Sequence, residues 1–208
     1  MGANLQSLPN ILTIGRIVAV PLVVALFFWT SNPWADPLAA FVFIAAAITD
    51  SLDGYIARKL GITTPLGEFL DPVADKLMVA TALVLLVWKD PHWVIALCAM
   101  IIVGREITVS ALREWMAQLG SRAKVKVSSL GKWKTIVQMT GLSLMMYRND
   151  LLGLPIYTLG KVLLVVASVL TLWSMVAYLR AAWPELRSDP LPTGATPPTV
   201  DNRNVSQG

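Results

Sequence analysis

The 208-residue chain is 55% hydrophobic and only 14% charged, and its mean hydropathy is +0.62. A soluble domain carries about 25% charged residues, so this composition excludes an ordinary soluble protein and predicts an integral membrane protein built as one compact bundle. The net charge of +4 comes from Lys and Arg residues that gather at a few segment ends. That pattern is a membrane-topology signal and does not indicate nucleic-acid binding. Cys98 is the only cysteine, which excludes an intrachain disulfide.

Six apolar segments, separated by turns rich in Pro, Gly or charge, predict an all-α membrane protein with six transmembrane helices. The first helix is opened by Leu8-Pro9-Asn10, in which Pro9 suits a helix start. It follows a short amphipathic N-terminal segment, residues 1–9, which we expect to lie at the membrane interface. No basic residue precedes Arg16, so the first apolar run is expected to remain in the mature protein. The helices are predicted at roughly residues 10–30, 37–59, 67–88, 93–119, 132–147 and 157–182.

Most of these helices are long enough to cross about 30 Å of hydrocarbon at 1.5 Å per residue, and the fifth is the shortest. After Trp183-Pro184 the composition shifts to Pro, Ser, Thr, Asn and Gly. Residues 185–208 are therefore predicted to form a disordered tail. The predicted organisation is a single membrane domain, residues 10–184, between the interfacial segment and this tail.

Four aspartates form two pairs, one late in the second predicted helix and one early in the third. Asp50 and Asp53 are three residues apart, and Asp71 and Asp75 are four apart. On a helix both spacings place the two side chains on one face, a turn apart. An ionised Asp at the bilayer centre costs about 3 kcal/mol, and four like charges raise one another's pKa values.

A divalent cation would remove both costs, because Mg²⁺ and Mn²⁺ are hard ions that prefer carboxylate oxygen. Two helices that each offer two carboxylates could hold two metals about 3.5–4 Å apart, an arrangement used for in-line phosphoryl displacement. The alternative is that the aspartates cap helices or pair with Arg58 and Lys76. Four aspartates in register favour the metal site.

The spacing D-x2-D-G-x2-A-R-x8-G-x3-D-x3-D, from residue 50 to residue 75, resembles the signature of the CDP-alcohol phosphotransferase family at every defined position. The resemblance implies that Asp50, Asp53, Asp71 and Asp75 bind two divalent cations, Mg²⁺ or Mn²⁺, beside the diphosphate of a CDP-linked substrate. It also implies that Asp75 is the general base. The residues implied to bind CDP-diacylglycerol are Asn10, Thr13, Arg16, Asp53, Gly54, Ala57, Arg58 and Gly67.

Basic residues in the fourth and fifth predicted helices form a second polar group. Arg105 and Arg113 are eight residues apart, close to two turns, so they share a helix face. Together with Lys132 and Lys134 they could bind a phosphate, Arg through a bidentate fork and Lys as a point charge. The alternative is that they snorkel to anionic lipid headgroups. Glu106 is expected to neutralise a neighbouring arginine.

The same region resembles one branch of the family, the phosphatidylglycerophosphate synthases of bacteria. The matching stretches read R-E-I-x-V-S-x-L-R-E-W from residue 105 and G-K-x-K-T from residue 131, and the stretches 8–16 and 67–79 also match. The resemblance covers roughly residues 5–182, and Ser51 departs from it where an aromatic residue is common. It implies transfer of a phosphatidyl group from CDP-diacylglycerol to sn-glycerol 3-phosphate by a homodimer in the bacterial inner membrane.

The cations sort onto two sides of the predicted bundle. One side holds Arg16, Arg58, Lys59, Arg122, Lys124, Lys126, Lys132, Lys134, Arg180 and Arg187, and the other holds Lys89, Arg148 and Lys161. The positive-inside rule then places both termini and the aspartate pairs in the cytoplasm, where CDP-linked substrates are found.

Two rival functions remain open. A sibling synthase would use another acceptor, as a cardiolipin, phosphatidylinositol phosphate or phosphatidylserine synthase does. A cation transporter would also carry intramembrane aspartates. Against the transporter, all four aspartates lie near one predicted membrane face, and no acidic residue continues a path to the other face.

Overall fold

The computed structural model describes residues 8–29, 31–60, 65–118, 129–151 and 153–187. Across those residues the chain is all-helical, with six helices and no strand, as predicted. The helices are α1 (Leu8–Phe28), α2 (Ala35–Leu60), α3 (Pro65–Lys89), α4 (Trp93–Gln118), α5 (Ser129–Tyr147) and α6 (Ile156–Arg187). The predicted boundaries are correct to within three residues, except that α6 continues through Pro184 to Arg187. The boundary predicted at residues 184–185 therefore falls inside a helix.

Within the described ranges, two helices are long and apolar enough to span a membrane. They are residues Trp93–Met116 of α4 and Ile156–Trp183 of α6, with hydropathies of 1.9 and 2.3. Shorter apolar stretches occur in α1 (Thr13–Phe28) and α2 (Ala35–Thr49). Length and composition thus support a membrane protein.

The apolar core contains buried side chains from all six helices. Fully buried side chains from α1, α2, α3, α4 and α5 pack in one cluster, represented by Phe27, Phe43, Leu83, Ile102 and Leu142. Many large apolar side chains on the outside of the bundle are exposed. An apolar exterior of this extent is typical of a surface that meets lipid.

The most extensive helix pair, α5 and α6, depends on two glycines. A Cβ atom at Gly160 would lie 2.7 Å from Cγ of Met145 and 2.9 Å from the carbonyl oxygen of Gly141. A Cβ atom at Gly141 would lie 3.1 Å from Cβ of Leu163. The two backbones approach this closely because neither residue carries a side chain.

Ion pairs join three helices at the end of the bundle where α2 begins and α3 ends. Lys89, in the last turn of α3, pairs with Asp36, in the first turn of α2. Each charge also opposes the dipole charge of its own helix end. In the following turn, Asp90 accepts hydrogen bonds from Lys161 and from the Tyr157 hydroxyl, each at 2.7 Å. These two bonds, Lys161 first, hold the pKa of Asp90 below its usual value.

The three cations assigned to the second side of the bundle all lie at this end. The guanidinium of Arg148 stacks over the Tyr157 ring at 5.5 Å, beside Lys161 at 4.7 Å from the same ring. Lys89 lies fourteen residues after Asp75, or about 21 Å along α3 at 1.5 Å per residue. The bundle therefore has two polar ends, and the aspartates of α3 are at the other one.

Candidate active site

Asp71 is held by a hydrogen bond from another helix. The Thr13 hydroxyl on α1, which is buried, donates to Oδ1 of Asp71 at 2.5 Å. This bond fixes the orientation of the carboxylate. Arg16 follows Thr13 by three residues on the same face of α1 and is also buried, with 2% exposure. Gly67 is buried in the first turn of α3.

Asp75 lies one turn after Asp71 and faces a cleft of about 330 Å³ between α3, α4 and α5. The polar residues that line this cleft are Asp75, Lys76, Glu106, Lys134, Thr135 and Gln138. The Oε1 atom of Gln138 is buried and has no hydrogen-bond partner within the described part of the chain. A buried acceptor left in this condition favours a site that a donor group from a ligand or water completes.

Glu106 connects two buried cations beside the cleft. Its Oε1 atom accepts a hydrogen bond from Nζ of Lys134 on α5 and another from a terminal nitrogen of Arg105, both at 2.8 Å. The expected neutralisation of an arginine by Glu106 is confirmed. Because Lys134 is only 4% exposed, this bond determines where its ammonium points inside the cleft.

The two arginines of α4 contact α6. Arg105 donates to the Ser174 hydroxyl at 2.9 Å, and Arg113 donates to the Tyr178 hydroxyl at 2.7 Å. The guanidinium carbons of both arginines lie over the Tyr178 ring, at 5.7 and 5.1 Å from its centroid. The two arginines do share a helix face, as predicted, but that face packs on α6.

The predicted phosphate-binding set is therefore divided in space. Lys134 lines the cleft together with Asp75, whereas neither arginine is among the described residues that line it. Ser174 and Tyr178 were not predicted as partners of the arginines. A signal was present, because a hydroxyl pair four residues apart in an apolar helix places both groups on one face.

Several predicted site residues have side chains outside the described residues. They are Asn10, Asp50, Asp53, Gly54, Ala57, Arg58 and Lys132. Among the described side chains, no group of three or more His, Cys, Asp or Glu could hold a metal ion. The predicted metal site needs Asp50 and Asp53 in addition to the two aspartates of α3. The helix α2 carries those two residues ten and seven positions before its last residue, Leu60.

Comparisons with known proteins agree with the motif. Residues 6–173 match the family described as CDP-alcohol phosphatidyltransferase. A CDP-diacylglycerol–glycerol-3-phosphate 3-phosphatidyltransferase of Pseudomonas fluorescens is 48% identical, covering 88% of this chain and 94% of that protein. The CDP-diacylglycerol–glycerol-3-phosphate 3-phosphatidyltransferase 2 of Arabidopsis thaliana is 43% identical. That match covers 88% of this chain and 82% of the Arabidopsis protein.

A rice relative carries a different name. A cardiolipin synthase (CMP-forming) of Oryza sativa subsp. japonica is also 48% identical, over 86% of this chain, but the match spans only 58% of the rice protein's length. Among solved structures, the phosphatidylinositol phosphate synthase of Mycobacterium tuberculosis in apo form superposes with a TM-score of 0.64 at 20% identity. That match covers 89% of this chain and 95% of the other, and at this identity it supports the fold alone.

Proposed function

The chain belongs to the CDP-alcohol phosphatidyltransferase family, and we propose that it transfers a phosphatidyl group from CDP-diacylglycerol to sn-glycerol 3-phosphate. The products are phosphatidylglycerophosphate and CMP. Relatives from P. fluorescens and A. thaliana that are 43–48% identical carry the name of this activity. The structural observation that favours it is that Asp75 and Lys134, from distant parts of the sequence, line one cleft. The cleft then holds a carboxylate that can accept a hydroxyl proton and a cation that can bind the phosphate of the acceptor.

The proposal places this chemistry at a membrane surface. All six helices span the bilayer in it, with both termini and the active site on the cytoplasmic face of a bacterial inner membrane. Residues 1–9 lie at the interface and residues 10–184 form the membrane domain. Residues 185–208 follow it as a tail whose first three residues complete α6. The distribution of Lys and Arg supports this topology. The enzyme is proposed to be a homodimer, as the family resemblance implies.

Two divalent cations, Mg²⁺ or Mn²⁺, would be held by Asp50, Asp53, Asp71 and Asp75. The described part of the donor set fits hard cations, because Asp71 and Asp75 share one face of α3 and offer only carboxylate oxygen. The hydrogen bond from Thr13 keeps Asp71 oriented. When bound, the cations supply positive charge to the diphosphate of the donor and to the departing CMP.

In the proposed reaction, Asp75 accepts the proton of the attacking glycerol hydroxyl. The hydroxyl oxygen forms a bond to the phosphorus that carries the diacylglycerol group. The bond from that phosphorus to the CMP oxygen breaks, and CMP leaves with the electron pair. Lys134 holds the phosphate of the acceptor while Glu106 keeps the ammonium in place. On the donor side, the described residues proposed to lie beside the nucleotide are Thr13, Arg16 and Gly67.

A second candidate is a cardiolipin synthase, in which phosphatidylglycerol is the acceptor, because the rice relative of that name is equally similar over its matched part. The carboxylates would serve the same chemistry, and only the acceptor would differ. Sibling enzymes that use inositol phosphate or serine, and the cation transporter, are further alternatives.

An acceptor assay distinguishes these functions. Purified protein with CDP-diacylglycerol and Mg²⁺ or Mn²⁺ is given glycerol 3-phosphate, phosphatidylglycerol, inositol phosphate or serine in parallel. CMP release is measured, and the lipid product is identified by mass spectrometry. We expect CMP and phosphatidylglycerophosphate with glycerol 3-phosphate alone. Cardiolipin formed from phosphatidylglycerol would replace the proposal by its first rival. No CMP release with any of the four acceptors would contradict every synthase activity and favour the transporter.

The contact between Thr13 and Asp71 gives a milder test of the metal site. Thr13→Val keeps the side-chain shape but removes the hydroxyl donor, so Asp71 loses its fixed orientation. We expect the activity to need several-fold more Mg²⁺, with most of the maximal rate restored at saturating metal. Titration of activity with Mg²⁺ measures this change. Thr171→Val is the matched control, because Thr171 is equally buried on α6 and its hydroxyl has no hydrogen-bond partner in the described part of the chain. Equal metal requirements in the two variants would contradict the role of Thr13.

A further inference from the structure

An apolar groove runs along the outside of the bundle between α3 and α4. Its volume is about 490 Å³. The described residues that line it are Leu83, Val84, Val87, Ala96, Ala99, Met100, Val103, Gly104 and Ile107. None of these residues has a charged or polar side chain, so the groove suits a hydrocarbon chain and offers nothing to a polar ligand.

The groove is continuous with the candidate active site. Val103 and Ile107 line both the groove and the cleft that contains Asp75. Beyond this shared wall the cleft continues over apolar residues of α3 and ends at its polar residues, which include Asp75 and Lys134. A molecule with a polar head and an apolar chain could therefore occupy the cleft and the groove together.

The length of the groove matches an acyl chain. Val87 lies twelve residues after Asp75, which is about 18 Å along α3 at 1.5 Å per residue. The hydrocarbon core of a bilayer is about 30 Å thick, so the chains of one leaflet span about 15 Å. A lipid whose phosphorus lies beside Asp75 would place its chain end near the far end of the groove.

We propose that the groove between α3 and α4 binds one acyl chain of the CDP-diacylglycerol donor and thereby places the donor's phosphorus beside Asp75. This inference rests on the proposed function. Binding energy from a part of the substrate remote from the reacting bond would then position the bond that breaks. A second copy of the chain against the same groove is the alternative occupant, and the test below distinguishes it.

The experiment narrows the groove without touching the catalytic residues. A Cβ atom built at Gly104 meets no heavy atom of the described chain within 4 Å, so Gly104→Leu extends into the groove without a backbone clash. Ala99→Phe narrows it five residues earlier on α4. Val169→Phe is the control, because Val169 is 60% exposed on α6 and does not line the groove. Each variant is assayed with CDP-dioleoylglycerol and with CDP-dihexanoylglycerol, whose short chains extend much less far along the groove.

We expect Gly104→Leu and Ala99→Phe to lose about tenfold or more of kcat/KM with the dioleoyl donor, and to stay near wild type with the dihexanoyl donor. The control should match wild type with both. Equal losses with both donors, or no loss with either, would overturn the proposal. Native mass spectrometry of the same samples gives the oligomeric state, and a change caused by Gly104→Leu would assign the groove to a second copy. If wild-type protein makes no product from either donor, the proposed function itself has failed.

Discussion

Asp71→Asn and Asp75→Asn should each lower turnover by about a hundredfold or more, which corresponds to about 2.7 kcal/mol of transition-state stabilisation. Asparagine has nearly the shape of aspartate but lacks the charge that a hard cation needs. Asp50→Asn and Asp53→Asn should have the same effect if α2 completes the site. Each variant should still insert into the membrane and retain the helix content of the wild type by circular dichroism.

The matched control for this series is Asp150→Asn. Asp150 is an exposed aspartate in the turn between α5 and α6, so its substitution removes the same charge far from the cleft. It should leave activity unchanged. Retention of more than about a tenth of wild-type activity by any two of the four motif variants would contradict a shared metal site, because a tenfold effect is only about 1.4 kcal/mol.

Asp71 and Asp75 should differ in how their variants respond to metal. Asp71 receives a hydrogen bond from Thr13, as expected for an oriented ligand, whereas Asp75 is exposed to the cleft. Excess Mn²⁺ should therefore partly restore Asp71→Asn and should not restore Asp75→Asn, which still binds CDP-diacylglycerol but has lost the proton acceptor. Metal titrations of activity and of CDP-diacylglycerol binding measure both properties. Equal rescue of the two variants would make Asp75 a ligand only, and the base would have to be another group.

Local features of the structure followed directly from the sequence. Apolar runs interrupted by Pro, Gly and charged turns were sufficient to locate all six helices of the described residues. The end of α6 was wrong: it was predicted at residue 182, five residues before the observed end. A proline removes one backbone donor and disturbs the preceding turn, and in this helix the chain continues to Arg187 nonetheless. The four-residue spacing was enough to place Asp71 and Asp75 on one face.

The sequence did not predict in the same way which neighbouring helix each helix face contacts. Spacing shows which side chains share a helix face, but the rotation of the helix within the bundle decides which neighbour that face meets. Arg105 and Glu106 are adjacent, yet Arg105 reaches Ser174 on α6 while Glu106 reaches Lys134 on α5. The bond between Thr13 and Asp71 joins residues 58 positions apart. Contacts of this kind depend on the packing of the core between the helices, which local patterns do not specify.

The division between Lys134 and the arginines leads to a prediction about the acceptor. Lys134→Ala removes the cation that lines the cleft with Asp75. Loss of a charge-assisted contact to phosphate costs about 1.5–3 kcal/mol, so the KM for glycerol 3-phosphate should rise between about tenfold and a hundredfold. The KM for CDP-diacylglycerol should change little, because the nucleotide is proposed to lie beside the aspartates and α1. Steady-state kinetics with each substrate varied in turn measures the two constants.

Arg113→Ala is the matched comparison, since it removes a cation from the same basic group that contacts Tyr178 on α6. Its effect on the KM for glycerol 3-phosphate should be several-fold smaller than that of Lys134→Ala. Arg105→Ala is less informative, because it leaves Ser174 without its donor and removes one of the two donors to Oε1 of Glu106. We expect it to lower thermal stability as well. A larger effect at Arg113 than at Lys134 would place the acceptor phosphate at the interface of α4 and α6. An equal rise in both Michaelis constants after Lys134→Ala would mean that this lysine serves the nucleotide or the packing of the bundle.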